Sequence, residues 1–167
     1  SLRKMLLAAS DDLRVIFIKI ADRLHNIETL SALPSDKQER IARETLEIYV
    51  PFARMVGLWD VKRRFEEICF PIAFPLEAQQ WHEHIARRRE ELLPERLHAQ
   101  ERICKVTQVR TEVHLTTMTD YELYQKCAGN PLRLRDAGSV DSIQVLPEDP
   151  SSDARVCYAL LGDIHQH

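Results

Sequence analysis

The 167 residues carry a formal charge of −3, with 44% hydrophobic and 29% charged side chains, the make-up of an ordinary globular chain. That balance offers no basic footprint for nucleic acid. The four cysteines (Cys69, Cys104, Cys127, Cys157) form no CxxC pair and lack histidines at zinc spacing, which argues for free thiols in a reducing, cytoplasmic setting. No apolar run reaches the length of a membrane span, and the first residues lack the pattern of a signal peptide.

Residues 2–9 read as a short helix, and Ser10, Asp11 or Asp12 can cap the next one. From Asp12 to Leu30 there is no Gly or Pro. Leu13, Ile16, Phe17, Ile20, Leu24 and Ile27 recur at helical spacing and gather on one side. Asp22, His25, Asn26 and Thr29 follow at i, i+3, i+4 and i+7, so they form one stripe on the other side. The stripe can be the solvent face of an amphipathic helix. It can also be a site. Val15 and Ile18 continue it toward the N-terminus, which predicts a helix covered on both sides, while Arg14, Lys19, Arg23 and Glu28 lie on the flanks.

Leu33-Pro34 should close this helix, and Ser35-Asp36-Lys37-Gln38 fits a capping box that opens another carrying Ile41, Leu46, Ile48 and Phe52. Pro51 should kink that helix and Gly57 end it. A further helix from about Trp59 is expected to present Val61, Phe65 and Ile68, with Pro71 and Pro75 terminating the all-helical part. Between Leu76 and Lys105, apolar Trp81, Ile85, Leu92 and Leu93 are diluted by charge, and Pro94 predicts two linker helices. Arg87 to Arg89 could bind phosphate, but Glu90-Glu91 favours a solvated face. His82 and His84 are two apart and point to different sides of a helix, a poor arrangement for a metal.

After Lys105 the period changes to two. Val106, Gln108, Arg110, Glu112 and His114 alternate with Thr107, Val109, Thr111, Val113 and Leu115, the pattern of a half-buried strand. Tyr121 to Cys127 reads as a short helix ended by Ala128-Gly129-Asn130-Pro131, and Val140 to Leu146 as a second strand. After the turn at Pro147–Ser152, a helix from Ala154 to about His165 should turn Val156, Ala159 and Leu160 inward. Two strands cannot cover their own faces, so this layer is expected to continue beyond the sequence.

The run Ile18-Lys19-Ile20-Ala21-Asp22-Arg23-Leu24-His25-Asn26 resembles the segment of the RelA/SpoT family that carries the last metal ligand of its HD-type hydrolase domain. Leu2 to Ala8 resembles the family's preceding helix, and Arg40 to Ala53 followed by Gly57 its next one. Leu123-Tyr124-Gln125-Lys126-Cys127 and Tyr158 to His165 resemble, more loosely, the opening of the family's synthetase domain.

The resemblance implies an α+β chain: residues 1–72 as the C-terminal part of an HD-type hydrolase domain, 73–105 as a helical linker, and 106–167 as a partial, degenerate synthetase domain. It implies removal of the 3′-pyrophosphate from guanosine tetra- or pentaphosphate with manganese, an ion that accepts mixed His and Asp ligands, polarises phosphate and activates water. Asp22 would be one metal ligand, Asn26 and Thr29 would meet the nucleotide, and Arg23 and His25 would support Asp22. For His25 the favoured reading is a structural histidine. The other ligands and the catalytic acids would lie upstream of this sequence.

In the synthetase part, Asp136 aligns with a magnesium-binding Asp. However, Thr116 and Met118 stand where the family has Arg and Lys, and Asp141 where it has Arg, so pyrophosphate transfer is doubtful and magnesium would matter only if that half were active. Contact with the ribosome would come only through domains outside this sequence, and a contact between the two halves of the chain is possible on this outline. The contrasting function class is a non-catalytic helical module in which both sites have decayed.

Overall fold

The computed structural model describes residues 13–107, 110–134, 141–149 and 153–165. Helices dominate, and the described strands form one two-stranded antiparallel sheet, so the fold is α+β. Contacts divide the chain into two units, Ser1–Glu83 with Thr119–Leu132 and His84–Met118 with Arg133–His167. The short helix expected at residues 2–9 and its candidate caps lie outside the described residues.

In the first unit, α1 (Leu13–Glu28) buries Ile16, Ile20 and Ile27, and Leu30 continues that stripe in a 3₁₀ turn, Leu30–Ala32. Phe17, expected on the same face, is 46% exposed, and Leu24 is half-buried, so the inward stripe is narrower than the apolar count suggested. The helix α2 (Ser35–Glu44) starts without the expected capping box. Ser35 is already helical. The carbonyl of Pro34 accepts the amides of Lys37 and Gln38, and the Gln38 side chain donates to the Leu33 carbonyl at 2.7 Å.

Pro51 has no N–H to offer an α-helical ladder. The chain meets this with a π turn, Thr45–Tyr49, in which the Val50 amide donates to the Thr45 carbonyl five residues back, and it remains helical through α3 (Val50–Met55). The expected kink is thus a widened turn ahead of the proline. Gly57, at φ 77°, then ends α3: its amide reaches the Arg54 carbonyl, and the Leu58 amide reaches that of Ala53. These are the paired bonds of a left-handed C-terminal cap, a conformation that glycine adopts without steric cost.

The next helix, α4 (Trp59–Ala73), buries Lys62, Phe65, Glu66, Cys69, Phe70 and Ala73. Val61 and Ile68, expected on the inner face, are half-buried, because the axis of burial runs through an inward Lys-Glu pair. Pro71 lies inside this helix and does not end it; Pro75 opens the next, α5 (Pro75–Val106). The helix α6 (Asp120–Lys126) packs on α4, where Phe70 lies 5.3 Å from Tyr121 and 5.2 Å from Tyr124 between ring centroids.

Burial pushes the Cys69 thiol up to about 11, against the opposing hydrogen bond to Thr45. The thiolate is the reactive form. Native protein treated with a water-soluble maleimide should therefore label at exposed Cys104 and Cys157, and at Cys69 only after unfolding, as peptide mapping would show.

The helix α5 contributes residues to both units and is continuous, with Pro94 inside it, in place of the two linker helices expected. A proline removes one backbone bond and crowds the preceding turn at a cost of about 3 kcal/mol; a 32-residue helix retains most of its ladder around such a break.

In the second unit, β1 (Thr111–Thr117) begins about five residues later than the alternation suggested, because the helix claims the residues up to Val106. It pairs with β2 (Asp141–Pro147) in a register running from Thr111 opposite Pro147 to Thr117 opposite Asp141. Glu112 and His114 are exposed and Val113 is half-buried, in keeping with the predicted alternation. The last helix, α7 (Ala154–His165), buries Leu160 and half-buries Val156, while Ala159 is exposed, contrary to expectation. Among the described residues no helix is long and apolar enough to cross a membrane.

Candidate functional site

The C-terminal half of α1 carries the candidate site. Its Ile16, Ile20 and Ile27 side packs against α4 and the π turn, which fixes the rotation of the helix and leaves Asp22, His25, Asn26 and Thr29 together on the exposed side. The Asn26 amide donates to Asp22 Oδ2 at 3.2 Å, one turn away. Thr29 Oγ1 lies 3.2 Å from the His25 carbonyl and 3.3 Å from that of Asn26, so its hydroxyl proton is directed into the helix and its lone pairs stay available as acceptors. His25 is exposed and takes part in this cluster through its backbone.

The expectation that this side of α1 is covered is not met at Ile18, which is 68% exposed, while Val15 one turn earlier is half-buried. Arg23 also departs from its expected place on a solvated flank. One residue beyond Asp22, it turns inward, and its Nη2 donates to Glu44 Oε2 at 3.1 Å and to the Tyr49 hydroxyl at 3.2 Å. The guanidinium lies 4.2 Å from the centre of the Tyr49 ring, and that ring meets Phe65 edge-on at 6.3 Å.

As a metal ligand, Asp22 has suitable donor chemistry: an exposed carboxylate with one oxygen oriented by Asn26. The described residues do not make a metal site by themselves, since no group of three or more His, Cys, Asp or Glu is gathered among them. The exposed ring of His82 is hydrogen-bonded to Asp120 at 2.9 Å, not aimed at His84. In the arginine run, Arg88 pairs with Glu91 at 3.1 Å, and Arg89 donates to the Met118 carbonyl at 2.6 Å.

A second polar cluster, missed by sequence reasoning, lies between α4 and the start of α6. Lys62 and Glu66 are buried and paired at 3.1 Å, and Lys62 also reaches Glu122 at 3.2 Å. Thr119 caps α6 by accepting the Glu122 amide and donates its own proton to Glu66 at 2.7 Å. Burial raises the Glu66 carboxyl above its ordinary value, although Thr119 and Lys62 pull the other way. The i, i+4 spacing of Lys62 and Glu66 was the available signal. Of the synthetase residues, Asp136 lies outside the described residues, while Thr116 sits on β1 opposite Ser142, next to the Thr117–Asp141 pair.

The sequence profile described as an HD domain matches residues 1–59. Over 98% of its length the chain is 35% identical to the bifunctional (p)ppGpp synthase/hydrolase SpoT of Escherichia coli, of which it covers 23%. It is 30% identical over 98% of its length to a guanosine-3′,5′-bis(diphosphate) 3′-pyrophosphohydrolase of Aquifex aeolicus, again covering 23%. To a GTP pyrophosphokinase of Streptomyces coelicolor it is 33% identical over 99% of its length, covering 19%. Over nearly its whole length the chain is similar to proteins of the RelA/SpoT family. It spans about a fifth of the length of these relatives.

Proposed function

We propose that this chain is part of an alarmone-metabolising enzyme of the stringent response that hydrolyses the 3′-pyrophosphate of guanosine tetra- and pentaphosphate, with manganese bound in the complete domain. The observation that carries this reading is the Asp22–Asn26 bond on the open face of α1, with Thr29 one turn further on. Asn26 fixes the rotamer of Asp22, so that the carboxylate can serve as one metal ligand without first being ordered. Thr29 presents hydroxyl lone pairs to a donor group on the nucleotide. The remaining metal ligands and the groups that act on the attacking water belong to other parts of the protein. Hydrolysis breaks the bond between the 3′-oxygen and the pyrophosphate, releasing pyrophosphate and leaving GDP from the tetraphosphate. Such a nucleotide substrate, and cysteines left as free thiols, fit a protein of the cytoplasm.

In the same reading the synthetase half is inactive. Transfer of pyrophosphate from ATP needs positive charge against the phosphates, and Thr116, Met118 and Asp141 withhold it, a loss of several kcal/mol of electrostatic stabilisation. Full-length protein given guanosine tetraphosphate and manganese should release pyrophosphate, and given labelled ATP, GDP and magnesium should make no guanosine tetraphosphate. Absence of hydrolysis by folded, manganese-loaded protein would favour the non-catalytic module. Product in the transfer assay would mean that other residues supply the charge.

A further inference from the structure

The environment of Arg23 points beyond the stripe itself. Glu44 and Tyr49 are five residues apart, and in an α-helix at about 100° per residue they would face directions about 140° apart. Yet both meet one guanidinium. The π turn between them is what allows this. Its hydrogen bond spans five residues, from the Val50 amide to the Thr45 carbonyl, so the wider turn brings Tyr49 back over Glu44. The turn is fixed on its other side by Pro51, which cannot donate to an α-helical ladder, and by Phe65 against the Tyr49 ring. Arg23 is the residue next to Asp22, and its side chain is only 14% exposed.

We infer that Glu44 and Tyr49 are positioning residues: through Arg23 they hold the rotation and axial position of α1, and so the placement of the Asp22–Asn26 pair toward the nucleotide. Neither touches that pair. Both bonds leave from one nitrogen, Nη2, while the planar guanidinium lies over the Tyr49 ring, and it is this stacking that suits an arginine better than a lysine. This inference rests on the reading of Asp22 and Asn26 as hydrolase residues, and its test separates the two.

Full-length wild type, Glu44→Gln and Tyr49→Phe are compared, with Glu39→Gln as a control that loses only the surface pair to Arg43 on the same helix. Both variants keep the size of the side chain, so folding is retained. Hydrogen exchange is followed over residues 20–30 without nucleotide or metal, and kcat and KM are measured for release of the 3′-pyrophosphate. The expected result is faster exchange in this segment and a fall in kcat of about ten- to a hundredfold with KM little changed, the signature of misplacement at a distance, in both variants and not in the control. Unchanged exchange would overturn the clamp. Faster exchange with unchanged kcat, in an enzyme that Asp22→Ala inactivates, would overturn positioning while leaving the hydrolase reading intact. If wild type does not hydrolyse the nucleotide, or Asp22→Ala turns over as wild type does, the hydrolase reading fails and takes the positioning role with it.

Discussion

Asp22→Ala in the full-length protein is expected to lower hydrolysis of the 3′-pyrophosphate by at least about a hundredfold and to leave the fold unchanged. The fold survives because Asp22 is exposed and its hydrogen bond from Asn26 is between neighbours on the same helix. Such a bond contributes about 1 kcal/mol or less at a surface. On the proposed reading activity is lost because the carboxylate is the one acidic group in the stripe, and a metal ligand, once removed, would take with it charge stabilisation worth several kcal/mol in the transition state. Kinetics alongside a thermal melt and a measurement of bound manganese check both halves of this expectation. Asn26→Ala should have the smaller effect, since it frees the rotamer of Asp22 but leaves the charge.

The largest expected effect on stability lies away from this stripe. Lys62→Met removes the cation from a cluster that buries Glu66 and reaches Glu122, and it leaves a buried carboxylate without its charge partner. Breaking a buried pair from one side costs about 3–5 kcal/mol. Removing both charges, in Lys62→Met with Glu66→Met, should cost less than the single change, because no buried charge is then left unpaired.

The pH dependence follows from the direction in which Glu66 is shifted. Burial makes the folded state hold this proton more tightly than the unfolded chain does. Its contribution to stability is therefore greatest in acid, below the ordinary glutamate range, and is lost as pH rises through the raised folded value. Lys62 opposes that shift, so its removal widens the loss. Urea midpoints should show Lys62→Met closest to wild type in acid and furthest from it near neutral pH. An equal deficit at both would mean that the cluster contributes by packing alone.

The two sites differ in how far the sequence discloses them. The core of α1 was legible because Ile16, Ile20 and Ile27 repeat within one helix, and the Asp22–Asn26 pair because its spacing is one turn. Arg23 was not. Its partners lie 21 and 26 residues away, and one of them faces it only through a π turn, for which Pro51 is the sole local sign. Lys62 and Glu66 follow a spacing that usually marks a solvated pair, and the burial that makes them unusual depends on α6, more than fifty residues further on. Pro71 does not end its helix because Cys69, Phe70 and Ala73 around it are held by packing, whereas Pro94 sits among exposed and half-buried residues and no packing contact explains the continuity of that helix. The stretch that begins at Val106 alternates like a strand, yet its first residue belongs to a helix, and pattern alone places such a boundary only to within a few residues.

If the nucleotide lies against the Asp22–Asn26–Thr29 face of α1, photo-crosslinking of full-length protein with a guanosine tetraphosphate analogue bearing a photoreactive group, followed by peptide mapping, should give crosslinks within residues 18–30 that unlabelled guanosine tetraphosphate competes away. Competed crosslinks confined to other segments, with none in this one, would contradict that placement.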